Sequence, residues 1–97
     1  MGANTFYTRS RGRTPEEAFR RAVDMARYRF GHDGYTGSIA EKESFVMVEV
    51  PRGAEPEEHA YTLLMARGVD KWGPAGCIVL EPEKGEKEYL FFGWASS

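Results

Sequence analysis

Gly31-His32-Asp33-Gly34-Tyr35-Thr36-Gly37-Ser38-Ile39-Ala40-Glu41-Lys42 is the stretch whose reading decides the fold of this chain. It follows a strongly marked helix and precedes a strongly apolar strand. Two readings are open. Tyr35 to Glu41 is either a strand that turns at Glu41–Ser44 and pairs with the next one, or part of one long connection. A structureless run from Gly31 to Glu43 is uncommon inside a compact domain, and Tyr35, Gly37 and Ile39 alternate. The expectation is therefore a strand. If it is loop instead, the strand after it runs parallel to the first strand. Both glycine-rich loops and Trp94 then share one end of the sheet.

Working outward, the helix before this stretch is the most secure element. Thr14-Pro15-Glu16-Glu17 supplies an N-cap, a proline suited to the first turn and the glutamate of a capping box. Phe19, Ala22, Val23, Ala26 and Phe30 form one apolar stripe. Gly31 suits a left-handed cap, and Arg27 and Arg29 favour the negative end of the dipole. Upstream, residues 3–10 are rich in strand formers, and Gly12 ends that strand.

Downstream, Ser44 to Val50 reads as a strand, with Val46, Val48 and Val50 on one face and Phe45 and Met47 on the other. Pro51 stops it. Pro56 opens a second helix that carries Ala60, Leu63 and Leu64, with Gly68 as its stop. Cys77 to Leu80 is a short strand. Pro82 to Lys87 is a turn, and Glu88 to Trp94 is the last strand. The order is βαββαβ plus a hairpin strand. That is an α+β, ferredoxin-like chain with two helices on one face of an antiparallel sheet, in a single domain over residues 1–97.

The last strand breaks a rule. Leu90, Phe92 and Trp94 alternate with Tyr89 and Phe91, so it is apolar on both sides. A strand with one wet face alternates apolar and polar. The second sheet face therefore needs a cover. A partner, or a second copy packed sheet on sheet, is the expected one.

Composition narrows the function classes. The chain has 97 residues, 41% of them hydrophobic and 13% aromatic, which argues against disorder. No apolar run approaches the ~20 residues of a membrane-spanning helix. The basic-then-apolar plan of a signal peptide is missing, and Cys77 is the lone cysteine, so the expectation is a cytoplasmic protein. Net charge is −2, divided into +4 over residues 1–31 and −6 over the rest. All seven basic residues of the first part are arginines, whose forks match phosphates and carboxylates.

Motifs for catalysis are weak. His32 and Asp33 have the chemistry of a general acid–base pair, but sequence neighbours orient each other poorly. Thr36 and Ser38 lack the GxSxG context of an activated serine. The amides of Gly34 to Gly37 follow a helix C-terminus, where the dipole repels anions. Two histidines without clustered carboxylates or cysteines hold no metal, and His59 on the second helix has no ligand at metal spacing. No motif calls for a cofactor. The RNA recognition module shares this topology, yet the basic-Gly-aromatic run is missing from Glu43-Ser44-Phe45-Val46-Met47. That counts against nucleic acid and leaves RNA binding through the arginine-rich helix as a lesser alternative. Binding residues are expected at Tyr35, Thr36, Lys71 and Trp72 in the loops, and at Phe45, Met47, Phe92 and Trp94 on the open sheet face.

Four runs, Gly2-Ala3-Asn4-Thr5-Phe6, Gly34 to Lys42, Lys71-Trp72-Gly73-Pro74-Ala75-Gly76-Cys77 and Leu90-Phe91-Phe92-Gly93-Trp94, resemble short proteins of bacterial, particularly actinobacterial, genomes and their phages. The resemblance implies a bacterial or phage cytosolic protein and no particular activity. The expectation is a non-enzymatic module that binds a protein, as a homodimer through the apolar sheet face or with another chain. A small enzyme or ligand binder using Gly31–Lys42 is the alternative.

Overall fold

The structure, a computed structural model, describes residues 3–30, 38–66, 73–80 and 86–96. In chain order these form β1 (Ala3–Gly12), α1 (Pro15–Phe30), a single 3-10 turn (Ile39–Glu41), β2 (Phe45–Met47), α2 (Pro56–Met65), β3 (Ala75–Val79) and β4 (Lys87–Ser96). The class is α+β: two helices and a four-stranded mixed sheet. The succession of elements is consistent with a ferredoxin-like plan carrying a C-terminal hairpin.

Local signals act as their chemistry dictates. The Thr14 hydroxyl accepts from the Glu17 N–H at 3.1 Å and starts α1. Gly12 lets the end of β1 touch that start, since a Cβ there would lie 2.7 Å from the Ala18 backbone nitrogen. Glu55 caps α2 by accepting from the Glu58 N–H at 2.9 Å, and Pro56 occupies the first turn.

The sheet order is β1-β4-β3-β2. β4 is antiparallel to β1 and β3, while β2 is parallel to β3. Three expectations are corrected here. First, Ile39 to Glu41 is not strand: Ser38 caps a 3-10 turn by accepting from the Ala40 N–H at 3.2 Å. The rest of the expected strand, Tyr35 to Gly37, lies outside the described residues. Second, the sheet is mixed, not antiparallel, because β2 enters parallel to β1 and β3.

Third, the helices lie on opposite faces. Alternate residues of β4 divide between them. Tyr89, Phe91 and Ala95 pack with Ala18, Ala22, Val23 and Ala26 of α1. Leu90 and Phe92, with Trp94 at the edge, pack with Ala60 and Leu64 of α2. Crossover handedness explains this. The β1-α1-β2 connection runs from one edge of the sheet to the other, and β2-α2-β3 returns by one place. Two crossovers of the same hand in opposite directions put their helices on opposite faces. Neither sheet face is left for a partner to fill: α1 packs on the side of Phe45 and Phe91, and α2 on the side of Leu90 and Phe92. Phe92 is only 2% exposed.

Val48, Val50, Ile78 and Leu80 share the α2 side as expected, whereas Phe6, expected on the same side, packs with α1, and Val46 stays half exposed. Gly76 is set by its neighbour, because the Phe92 ring lies across it.

Candidate functional site

With both sheet faces packed against helices, the parts of the sheet still open among the described residues are its two edges. β2 is one of them. Its ladder to β3 continues past its ends: the Ala75 N–H donates to the Ser44 carbonyl at 3.0 Å, and the Val48 N–H donates to the Cys77 carbonyl at 2.8 Å. In a parallel ladder every second residue faces the partner strand. Ser44, Val46 and Val48 therefore turn their backbone to β3, and Phe45 and Met47 turn theirs outward. No described strand pairs with that side.

Beside this edge lies a groove of about 810 Å³ between α1 and residues 42–47. Its floor is apolar: Phe19, Val23, Phe45 and Met47. Phe19, Phe45 and Phe91 form a ring cluster with centroids 5.1 to 5.6 Å apart, which fixes the floor on the core. Met47 is half exposed, as is Val46 on the opposite face. Lys42 closes the end nearest the C-terminus of α1. Its stem is buried and its Nζ donates to the Gly73 carbonyl at 2.9 Å.

The rim is charged. Arg20 and Arg27 project from α1 seven residues apart, with Glu16 and Asp24 among them. Among the described residues neither arginine makes an ion pair. Three other arginines do. Arg9 pairs with Glu57, Arg11 with Glu88, and Arg21 with Glu17 and Glu86. The hydrogen bond and charge of Glu57 raise the Arg9 pKa above its ordinary value. This network ties β1, β4, α1 and α2 together at one end of the sheet.

Phe45 and Met47, expected as binding residues, line the groove. Phe92 and Trp94 do not reach a surface site. Phe92 is buried under α2, and the Trp94 indole donates to the Leu64 carbonyl at 3.0 Å, where it holds the end of that helix. His32, Asp33, Tyr35, Thr36, Lys71 and Trp72 lie outside the described residues. Sequence reading missed Phe19, Val23, Arg20 and Arg27 as groove residues. The signal for Phe19 and Val23 was the width of the α1 stripe, in which they extend beyond the line of Ala22 and Ala26; Arg20 and Arg27, off the stripe, had none.

Other chemistry finds little support. Cys77 is fully buried, and burial pushes its thiol up to about 12, far from a reactive thiolate. Among the described residues no cluster of three metal-ligating side chains exists, and no helix is long and apolar enough to cross a membrane. No protein-family model matches this chain, and no curated protein or solved structure matches it.

Proposed function

We propose that this chain is a non-enzymatic protein-interaction module whose β2 edge takes an extended segment of a partner protein as an added strand. The observation behind the reading is the juxtaposition of outward-facing backbone at Phe45 and Met47 with an apolar-floored groove. Strand addition draws affinity from main-chain hydrogen bonds and specificity from pockets for alternate side chains. The partner would pair with Phe45 and Met47 and send every second side chain against Phe19 and Val23. A reducing cytosol of a bacterium or phage-infected cell goes with this reading, supported by the lone Cys77 and the resemblance to bacterial and phage proteins.

Selection of random twelve-residue peptides on the folded protein tests it. Retained peptides should alternate apolar residues, and a proline placed at a pairing position should abolish retention. Met47→Glu, at a half-exposed position, should keep the fold by circular dichroism and weaken retention at least tenfold. Peptides without alternation, or retained equally by Met47→Glu, would remove the proposal.

A further inference from the structure

We infer that the outer edge of β1 is a second strand-pairing surface, fitted to an extended protein segment with acidic residues on one face and basic or aromatic residues on the other. β1 is ten residues long, and among the described residues it pairs on one side only, with β4. A long edge of this kind is a template for another strand. It is flanked by two grooves of opposite charge.

On the α1 side a groove of about 380 Å³ passes Thr8, Ser10 and Met25. Its charged side chains are Arg21 and Arg29 of α1; Arg9 and Arg11 also line it, but they alternate with Thr8 and Ser10, and the Arg9 guanidinium pairs with Glu57 on the α2 side. The guanidiniums of Arg9, Arg11 and Arg21 have glutamate partners, whereas Arg29 has none among the described residues. On the α2 side a groove of about 680 Å³ is lined by Tyr7, Tyr61 and the carboxylates of Glu55, Glu57 and Glu58, of which Glu57 is paired with Arg9. Both tyrosines are exposed.

A strand laid along β1 sends successive side chains to opposite faces. Those on the α1 side meet Arg21 and Arg29, and those on the α2 side meet Glu55, Glu58 and the phenol rings of Tyr7 and Tyr61. Charge complementarity therefore specifies alternation and not merely net charge. A second copy of β1 meets half of this requirement. Its Arg9 and Arg11 suit the glutamates, but its other face offers only Phe6, Thr8 and Ser10 to the arginines. A twofold pairing would also bring Arg21 and Arg29 of the two copies towards each other. A nucleic-acid strand suits the arginine groove and carries its phosphates past the glutamates. A protein segment meets both sides.

The test uses the full isotope-labelled chain and two ten-residue peptides of identical composition. One alternates glutamate with tyrosine or lysine, and the other groups the glutamates together. The alternating peptide should shift the backbone amides of β1 and bind at least tenfold more tightly than the grouped one. Arg29→Glu should weaken it about tenfold, while Arg52→Glu, of the same charge change and in the turn before α2, should not. Equal binding of the two peptides overturns the inference. So does tighter binding of a single-stranded RNA of ten nucleotides to the same amides, or sedimentation of the free chain as a dimer with the β1 amides protected. Met47→Glu separates this surface from the β2 groove: a peptide lost on Arg29→Glu and kept on Met47→Glu belongs to β1.

Discussion

Gly76→Ala puts the packing of the α2 face to a test whose sign is informative. Gly76 lies in β3 opposite Phe92 of β4. A Cβ at Gly76 would stand 2.6 and 2.8 Å from the two Cε atoms of Phe92, and closer still to Cζ. The ring cannot swing away freely, because Phe92 is 2% exposed and held among Leu64, Leu90 and Ile78. Glycine in a strand interior costs about 0.5–1 kcal/mol relative to alanine, so on backbone entropy alone the substitution stabilises. Overpacking costs about 1–3 kcal/mol. The clash should win, leaving a net loss of about 1–2 kcal/mol. With a urea dependence near 1 kcal/mol per molar for a chain of this size, the midpoint falls by about 1–2 M. Phe92→Leu shortens the side chain that blocks the Cβ. In that background Gly76→Ala should cost about 1 kcal/mol less, a coupling visible in a double-mutant cycle. A rise in midpoint for Gly76→Ala alone, or strict additivity of the two changes, would refute the placement of the ring over the glycine.

Two further outcomes follow from buried groups. Cys77 ordinarily titrates at 9.0 and is held up to about 12 by burial. Between those values the unfolded chain gives up its proton first, so stability should fall as pH rises, by up to about 1.4 kcal/mol per pH unit, and show none of this loss below pH 9. Urea midpoints of Cys77→Ala should decline less steeply over that window, while burial of Tyr89, which raises its pKa, adds a similar decline above pH 10 in both proteins. Trp94→Phe removes the indole donor to Leu64 and leaves that carbonyl without its side-chain partner, for a loss of about 1 kcal/mol in chemical denaturation; an unchanged midpoint would show that the bond holds nothing.

How much of this was legible depended on whether the deciding signal was local. Thr14 and Glu17 start a helix by their own hydrogen bonding, and α1 begins where that pattern places it. Alternation put Val46, Val48 and Val50 on one side, and Val48 and Val50 do share a core cluster with Ile78 and Leu80; Phe6, assigned to that side without a pairing to fix it, lies on the other. The Ile39–Glu41 turn went unread, although Ser38 with Glu41 three residues on has the spacing of a helix start. The side taken by each helix is not a local property. It follows from strand order, and strand order is set by pairings between residues far apart in the chain, such as Tyr7 with Phe92. The groove was half visible for the same reason. Phe45 and Met47 come from one strand, but the α1 wall joins them only when β2 lies at the edge beneath it.

The double-sided apolar strand carries the main lesson about function. Read alone, Tyr89 to Trp94 asks for a partner. In the sheet it is a central strand between β1 and β3, covered on one face by α1 and on the other by α2, and its composition is that of any strand buried on both sides. The two accounts differ in what depends on concentration. If α2 is the cover, Leu64 is a core residue of the monomer: it is 2% exposed against Leu90 and Phe92. Leu64→Ala should then cost about 2–5 kcal/mol, with a melting temperature that is lowered equally at 5 and 500 μM protein. If a second copy supplied the cover, the wild-type melting temperature would itself rise with concentration, because association stabilises by mass action. Leu64→Ala would then leave the monomer's stability nearly unchanged. A concentration-dependent wild type would overturn the assignment of α2 to this face, and with it the reason for looking to the sheet edges for binding.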